Sequence, residues 1–387
     1  MFSKRIQNLM PSPTFAIDAK VKNLEHGGIR VINLGLGEPD FETPDLIKHA
    51  GIKAIEEGFT HYTQAAGIPL LREAIAKKFK NDNNIDYQPQ QIVVGAGSKF
   101  ILYMAFQTLC QKGDEVIVPI PTWNSYVEQV KLSEATPVFI KLHPPFKITA
   151  KAIKKKITSR TKVILLNSPS NPTGAMIDEE ELNKIASLAV SKNIWIVTDE
   201  MYEKIIYGKK HVSIASLNRE IYNRTISVNG LSKTYAMTGW RIGYAGGPQE
   251  IITVLVDLQS QLTTNASSIS QKAALCALEG SEKLYKGMIE EFKARREYLI
   301  KSLSSIKDFD VTQPEGSFFF FVGIKKLLGK KYKTSTQWCE DLLQRKQVAV
   351  VPGEAFFAPG FFRLSFAADI STLKDAVKKL EEFIYEQ

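Results

Sequence analysis

The chain has 387 residues, 44% of them hydrophobic and 24% charged, with a formal net charge of +9. A chain of that length and composition buries a sizeable core unaided, which excludes a disordered segment, a collagen-like fibre and a disulfide framework. Its basic residues are interleaved with Glu and Asp in helical segments such as 150–157 and 373–386, so the positive balance reads as a solvated surface and no nucleic-acid partner is expected.

No apolar run reaches the ~18 residues of a membrane span. The greasiest stretch, Ser317 to Ile324, is short, so no membrane partner is expected. The start, Met1-Phe2-Ser3-Lys4-Arg5, lacks an apolar segment of signal-peptide length, and the expected location is cytoplasmic. Cys110, Cys276 and Cys339 are far apart and odd in number, as reduced structural thiols are. The five histidines show no HxxxH spacing, and no metal site is expected.

In chain order, the first 43 residues hold a helix-like segment and then the turn-rich Asn33-Leu34-Gly35-Leu36-Gly37-Glu38-Pro39-Asp40. Runs rich in Val and Ile at 91–95, 115–118, 138–140, 162–167, 194–199, 226–229 and 243–246 read as strands buried on both faces. Helix-length segments at 98–109, 178–191 and 248–262 fall between them, with Pro248 at a favoured helix start. This alternation predicts an α/β fold with a mostly parallel sheet. After 281 the pattern changes: a long charged helix at 282–303, strands at 318–322, 348–351 and 362–366, and helices at 336–345 and 371–385 predict a smaller α+β part.

Several residues with chemical potential fall at predicted strand ends. Gly95-Ala96-Gly97-Ser98-Lys99 follows a strand and opens a helix, where backbone amides could hold one phosphate or simply turn the chain. It is neither a dinucleotide fingerprint nor a Walker A loop. Asn229-Gly230-Leu231-Ser232-Lys233 places a lysine just past a strand, with Arg241 eight positions on. A buried lysine loses its proton readily and attacks an aldehyde, and arginine grips a phosphate or carboxylate through two hydrogen bonds. Asp199 ends the strand at 194–199, where open α/β sheets place ligands, although it could equally cap the next segment. Asn167-Ser168-Pro169-Ser170-Asn171-Pro172-Thr173-Gly174 is a rigid loop at another strand end. Aldehyde-reactive lysine, strand-end acid, phosphate cup and arginine together are the set that pyridoxal phosphate demands.

With these residues in place, the sequence resembles a class I, fold type I pyridoxal-phosphate aminotransferase, most of all the bacterial branch of aspartate and prephenate aminotransferases. The resemblance spans essentially the whole chain. It is carried in order by Gly37-Glu38-Pro39-Asp40-Phe41, Tyr62 with Ala66-Gly67-Ile68-Pro69, Gly97-Ser98-Lys99, Trp123, Asn171-Pro172-Thr173-Gly174, Asp199-Glu200-Met201-Tyr202, Ser232-Lys233, Arg241 and Arg363. It implies a large domain at 44–281 with a seven-stranded, mostly parallel sheet flanked by helices. A smaller α+β domain would combine 1–43 with 282–387.

The resemblance also implies roles. Lys233 would hold the cofactor, pyridoxal 5'-phosphate, through its aldehyde carbon and then move a proton as acid and base. Asp199 would pair with the protonated ring nitrogen, Tyr202 and Asn171 would hydrogen-bond the phenolic oxygen, and Trp123 would lie over the ring. Gly97, Ser98, Lys99, Ser232 and Arg241 would hold the phosphate, and Tyr62 would reach the cofactor from a second subunit, so that a homodimer shares its active sites. Gly37 and Arg363 would clamp the substrate α-carboxylate, with Asn171 and Trp123 beside it. Lys99 and Thr14 would meet a distal carboxylate, which favours aspartate as amino donor and 2-oxoglutarate as acceptor in a ping-pong reaction. Met10 departs from the basic residue of prephenate-active members. Phe15, Phe100 and Tyr103 leave aromatic or broad specificity as the alternative. A C–S lyase or acyltransferase on the same fold, and an effector-binding module without activity, are the remaining readings.

Overall fold

The structure, a computed structural model, describes residues 2–7, 9–329 and 331–386. Met1, Asn8, Lys330 and Gln387, all within the expected smaller domain, lie outside the described residues.

Seven strands form the central sheet in the order Ile92–Gly95, Gly243–Gly246, Thr225–Gly230, Trp195–Asp199, Thr161–Asn167, Glu115–Ile120 and Thr136–Lys141. Successive side chains of each strand go to opposite faces, and both faces are covered. Val116, Leu165 and Val197 pack with Leu102, Phe106 and Leu255 of the helices Ser98–Leu109 and Gln249–Leu262. Ile117, Ile164 and Ile196 pack with Leu182 and Ile185 of the helix Glu179–Ser191. That double burial is why these strands read as continuous apolar runs.

Gly243–Gly246 is the exception in direction, running antiparallel to both of its neighbours. The carboxyl ends of Ile92–Gly95, Thr225–Gly230, Trp195–Asp199 and Thr161–Asn167 therefore share one rim with the amino end of Gly243–Gly246. Gly97, Lys233, Asp199 and Asn171 reach that rim as the chain leaves its strands. Arg241 reaches it just before the chain enters one. The reversed strand is what brings the arginine to the same edge.

The smaller core is built on the antiparallel sheet Val351–Pro352, Phe361–Ser365, Phe319–Gly323 and Asp310–Thr312. Helices Lys283–Ser304, Ser335–Lys346 and Ile370–Tyr385 cover it, burying Phe292, Leu303, Trp338 and Leu380 against Phe320 and Phe362. The single strand expected at 348–351 is in fact two. Val348–Ala349 pairs in parallel with Ile32–Asn33, and after Val350 the chain joins the four-stranded sheet instead. The strand Asp310–Thr312 and the helices Asp45–Glu56, Pro69–Asn83, Asn124–Leu132 and Ser268–Glu279 were not expected from the sequence. Among the described residues no helix is long and apolar enough to cross a membrane.

Candidate active site

The rim gathers most of the residues singled out in the sequence. Gly97 sits at φ +89, and a Cβ there would come within 2.6 Å of Arg241 Nη2. Only glycine both adopts this backbone and lets the guanidinium close on the start of helix Ser98–Leu109. Arg241 itself is held by a 2.9 Å hydrogen bond from Nη1 to the Thr238 carbonyl. Helix-start amides and a guanidinium on one spot make an anion cradle. Ser232 is buried beside Lys233.

The Lys233 ammonium donates to the Gly37 carbonyl, which ties the turn-rich loop to the rim. Burial pulls its pKa down to about 8, with Arg363 and Arg241 adding to the shift against Glu38 and Asp199. Such an amine is partly neutral near physiological pH and is poised to attack a carbonyl. Asp199 is buried, and burial pushes its carboxyl up to about 6 against the pull of its hydrogen bonds. Its Oδ2 accepts from the Tyr126 hydroxyl at 2.7 Å, and its Oδ1 from the Met201 amide at 3.1 Å. A buried carboxylate so placed gains from a cationic partner.

Arg363 is only 1% exposed. Its Nη1 donates to Asn171 Oδ1 at 3.0 Å and its Nη2 to the Gly35 carbonyl at 2.6 Å, while Nε has no partner. The guanidinium lies 4.3 Å from the Phe319 ring centroid. Burial lowers its pKa to about 10, so it stays charged at neutral pH. Tyr202 is buried edge-on to Phe318 and Phe319, and burial raises its hydroxyl above the usual phenol range.

At the mouth, Lys99 Nζ lies 4.5 Å from the Trp123 ring centroid and 5.8 Å from that of Phe15, the neighbour of Thr14 at the start of helix Pro13–His26. Burial and the nearby Arg241 lower the Lys99 pKa. Lys99, Arg241, Lys233 and Arg363 thus give one cleft a strongly positive lining, suited to phosphate and carboxylate groups. Tyr62 is not brought to this rim: it stands 86% exposed on the surface.

Two participants carry no motif of their own. Tyr126, which supports Asp199, and Gln129, whose Nε2 donates to the Lys99 carbonyl at 2.8 Å, share the helix Asn124–Leu132. The signal available was spacing: Tyr126 follows Trp123 by three positions at a helix start, which puts both on one face. The fold also gathers Glu200, Glu203 and His211, whose ligand-type atoms all lie within 4.8 Å of one another. Their cation is built in, because the Lys78 ammonium pairs with Glu203 and the His211 ring meets Glu200 at 3.1 Å.

Known proteins resemble this chain in sequence and in fold. The model of the family "Aminotransferase class I and II" matches residues 29–380. An aspartate aminotransferase of Bacillus sp. (strain YM-2) is 43% identical, covering 99% of both chains. A protein of Aquifex aeolicus (strain VF5) named "Probable aspartate/prephenate aminotransferase" is also 43% identical, covering 99% of this chain and 98% of its own. The solved structure of the Thermus thermophilus aspartate aminotransferase with maleate superposes with a TM-score of 0.94 at 36% identity, covering 99% of each chain. The chain belongs to the class I and II aminotransferase family.

Proposed function

We propose that this aminotransferase uses pyridoxal 5'-phosphate to move the amino group of L-aspartate to 2-oxoglutarate in a ping-pong cycle. The residues present fit that cofactor. A helix-start cradle closed by Arg241 suits its phosphate, the amine of Lys233 suits its aldehyde, and the buried Asp199 suits a protonated ring nitrogen. The unpartnered Nε of a fully buried, charged Arg363 suits an α-carboxylate. Bound there, the cofactor supplies an electron-accepting ring for the electrons released when the substrate Cα–H bond breaks.

This chain's residues do the rest. Gly37 and Arg363 orient the α-carboxylate, and Asn171 holds the Arg363 guanidinium in place. Lys233 would take the proton from Cα and deliver it to the carbon that was the cofactor's aldehyde. Tyr202 and Asn171 would hydrogen-bond the phenolic oxygen, Trp123 would lie beside the ring, and Gly97, Ser98, Ser232 and Arg241 would hold the phosphate. The donor assignment rests on one observation: a part-buried lysine, Lys99, faces the cleft mouth beside Trp123 and the start of the Thr14 helix, where the distal carboxylate of a dicarboxylic substrate would lie. Phe15 near the same ammonium, with Phe100 and Tyr103 stacked at 6.3 Å, favours aromatic substrates as the second reading.

Two assemblies belong to the same reading. Residues 44–281 form the large domain, while 1–43 and 282–387 form the small one, in keeping with cores centred on the two sheets, with Met201, Tyr202, Ile205 and Tyr207 of the large part packed into the smaller core. Exposed Tyr62, together with exposed Leu46, Ile52, Ile55 and Leu70, suits a homodimer in which Tyr62 reaches the partner's phosphate. The three free thiols suit a reducing cytoplasm.

The test is an absorbance titration of the protein with pyridoxal phosphate, followed by L-aspartate or L-phenylalanine. The visible band of the lysine-bound aldehyde appears, and aspartate bleaches it at lower concentration than phenylalanine does. Lys99→Met reverses that order by removing the distal partner. Bleaching by phenylalanine alone moves the assignment to an aromatic aminotransferase, and absence of the band rejects the cofactor.

A further inference from the structure

Outside the rim, the most completely buried cation that the reaction does not use is Arg295, in the middle of the helix Lys283–Ser304. Its side chain is 5% exposed. Its Nη1 donates to Asp40 Oδ1 at 2.7 Å and to the Phe366 carbonyl at 3.4 Å, and its Nε to Glu291 at 3.3 Å. The guanidinium lies 5.0 Å from the Phe41 ring centroid and 5.6 Å from that of Phe292. A charge withdrawn from water this far needs those partners, so its position is strongly determined.

The two ends it joins are the two halves of the carboxylate clamp. Asp40 comes three residues after Gly37, and Phe366 three residues after Arg363. The loop that carries Gly37 has no strand or helix between Asn33 and Asp45; beyond the backbone bonds of Leu34 with Ala349 and Ser365, its holds are made by side chains. Arg363 takes the Gly35 carbonyl, Lys233 the Gly37 carbonyl, Thr238 the Glu38 carboxylate at 2.8 Å, and Arg295 the Asp40 carboxylate. Lys233 leaves Gly37 whenever it serves the chemistry, and Arg363 is drawn on by the substrate. Arg295 touches neither ligand, so its hold on the loop persists through the cycle.

We propose that Arg295 is a positioning residue for the substrate α-carboxylate: by gripping Asp40 and the Phe366 carbonyl together, it fixes the separation between Gly37 and Arg363. This rests on the reading of those two residues as the clamp.

The holoenzyme tests it with Asp40→Ala and Arg295→Lys, since Arg295→Ala strands Asp40 and opens a hole in the core. Loss of one charge-assisted bond acting at one remove raises KM for aspartate and Kd for maleate about tenfold. In the same variants kcat and the affinity for pyridoxal phosphate stay within about twofold, and a double variant is no worse than the singles. Unchanged KM and maleate binding overturn the proposal. So does a parallel fall of KM, kcat, cofactor affinity and melting temperature, which marks general loosening. Arg363→Lys separates the two levels. If it weakens maleate binding while Asp40→Ala does not, only the role of Arg295 falls. If it too leaves maleate binding unchanged, the clamp reading falls and takes the proposal with it.

Discussion

The Tyr126 hydroxyl donates to Asp199 across 2.7 Å, joining the helix that begins after Trp123 to the strand end at the floor of the cleft. That bond holds the Asp199 pKa lower than burial alone would set it. Tyr126→Phe removes the donor, so the carboxyl rises above about 6 and is protonated over more of the working pH range. The expected result is a roughly tenfold loss of pyridoxal-phosphate affinity at pH 6, shrinking toward pH 8, where Asp199 ionises in both proteins. Fluorescence titration of the cofactor at the two pH values measures it. Equal loss at both would show that the hydroxyl acts only through packing.

Lys233 is depressed from the ordinary lysine value to about 8, principally by burial. Only its neutral form attacks an aldehyde, so capture of pyridoxal phosphate by the cofactor-free protein accelerates as pH rises and levels off just above pH 8. Below that point the rate falls about tenfold per pH unit. Stopped-flow absorbance between pH 6.5 and 9.5 follows it. A rate still climbing steeply at pH 9.5 would contradict the depressed value, and Lys233→Ala gives no visible band.

Gly97→Ala forces a side chain into a left-handed backbone and into the space of the Arg241 guanidinium. Backbone strain of this kind costs about 1–3 kcal/mol. Because the guanidinium must also retreat from the helix start, cofactor affinity falls further than the melting temperature of the cofactor-free protein implies. Thermal melts with and without saturating pyridoxal phosphate separate the two effects: the gain in melting temperature on adding cofactor is smaller in the variant.

Glu203 is raised by burial but pulled down further by Lys78 and His211, ending at about 2. Its folded value lies below its unfolded one, so it stabilises the fold above about pH 4.3 and that contribution fades as pH falls toward 2. Glu203→Gln leaves the Lys78 ammonium with only the longer ionic contact to Asp82 at 3.7 Å and costs about 2–3 kcal/mol at pH 7. Between pH 5 and 3 the melting temperature of the unaltered protein declines more steeply than that of the variant. Parallel declines would remove Glu203 from the acid response.

Much of this fold is legible in the sequence because the central strands are buried on both faces and therefore appear as unbroken runs of Val, Ile and Leu. Lys233, Asp199, Asn171 and the Gly97 turn stand at the ends of such runs, where their chemistry is conspicuous. Residues placed by partners distant in sequence are not legible in this way. Asp310–Thr312 is a three-residue edge strand with little apolar character, and nothing local marks its pairing with Phe319–Gly323. The helix Pro69–Asn83 carries so many charges that its apolar stripe is faint, though Pro69 stands at its first turn. Val348 to Val351 reads as one run, because the transfer from one sheet to another at Val350 depends on where Ile32 and Arg363 lie. Arg295 is one basic residue in a charged helix until the fold brings Asp40 to it.

The parallel pairing of Ile32–Asn33 with Val348–Ala349 bears on how the enzyme is made. A ribosome delivers the loop with Gly37 first and its β-partner near the end. The central sheet, drawn from residues 92 to 246, can close while synthesis continues, since folding units form in the order they emerge. The Gly37 loop can meet Lys233 and Thr238 at that stage, but its remaining holds, Arg295, Val348 and Arg363, are made later. A nascent chain stalled before residue 348 would hold the Lys233 amine but lack the surface that selects amino acids, so competence for catalysis arrives last.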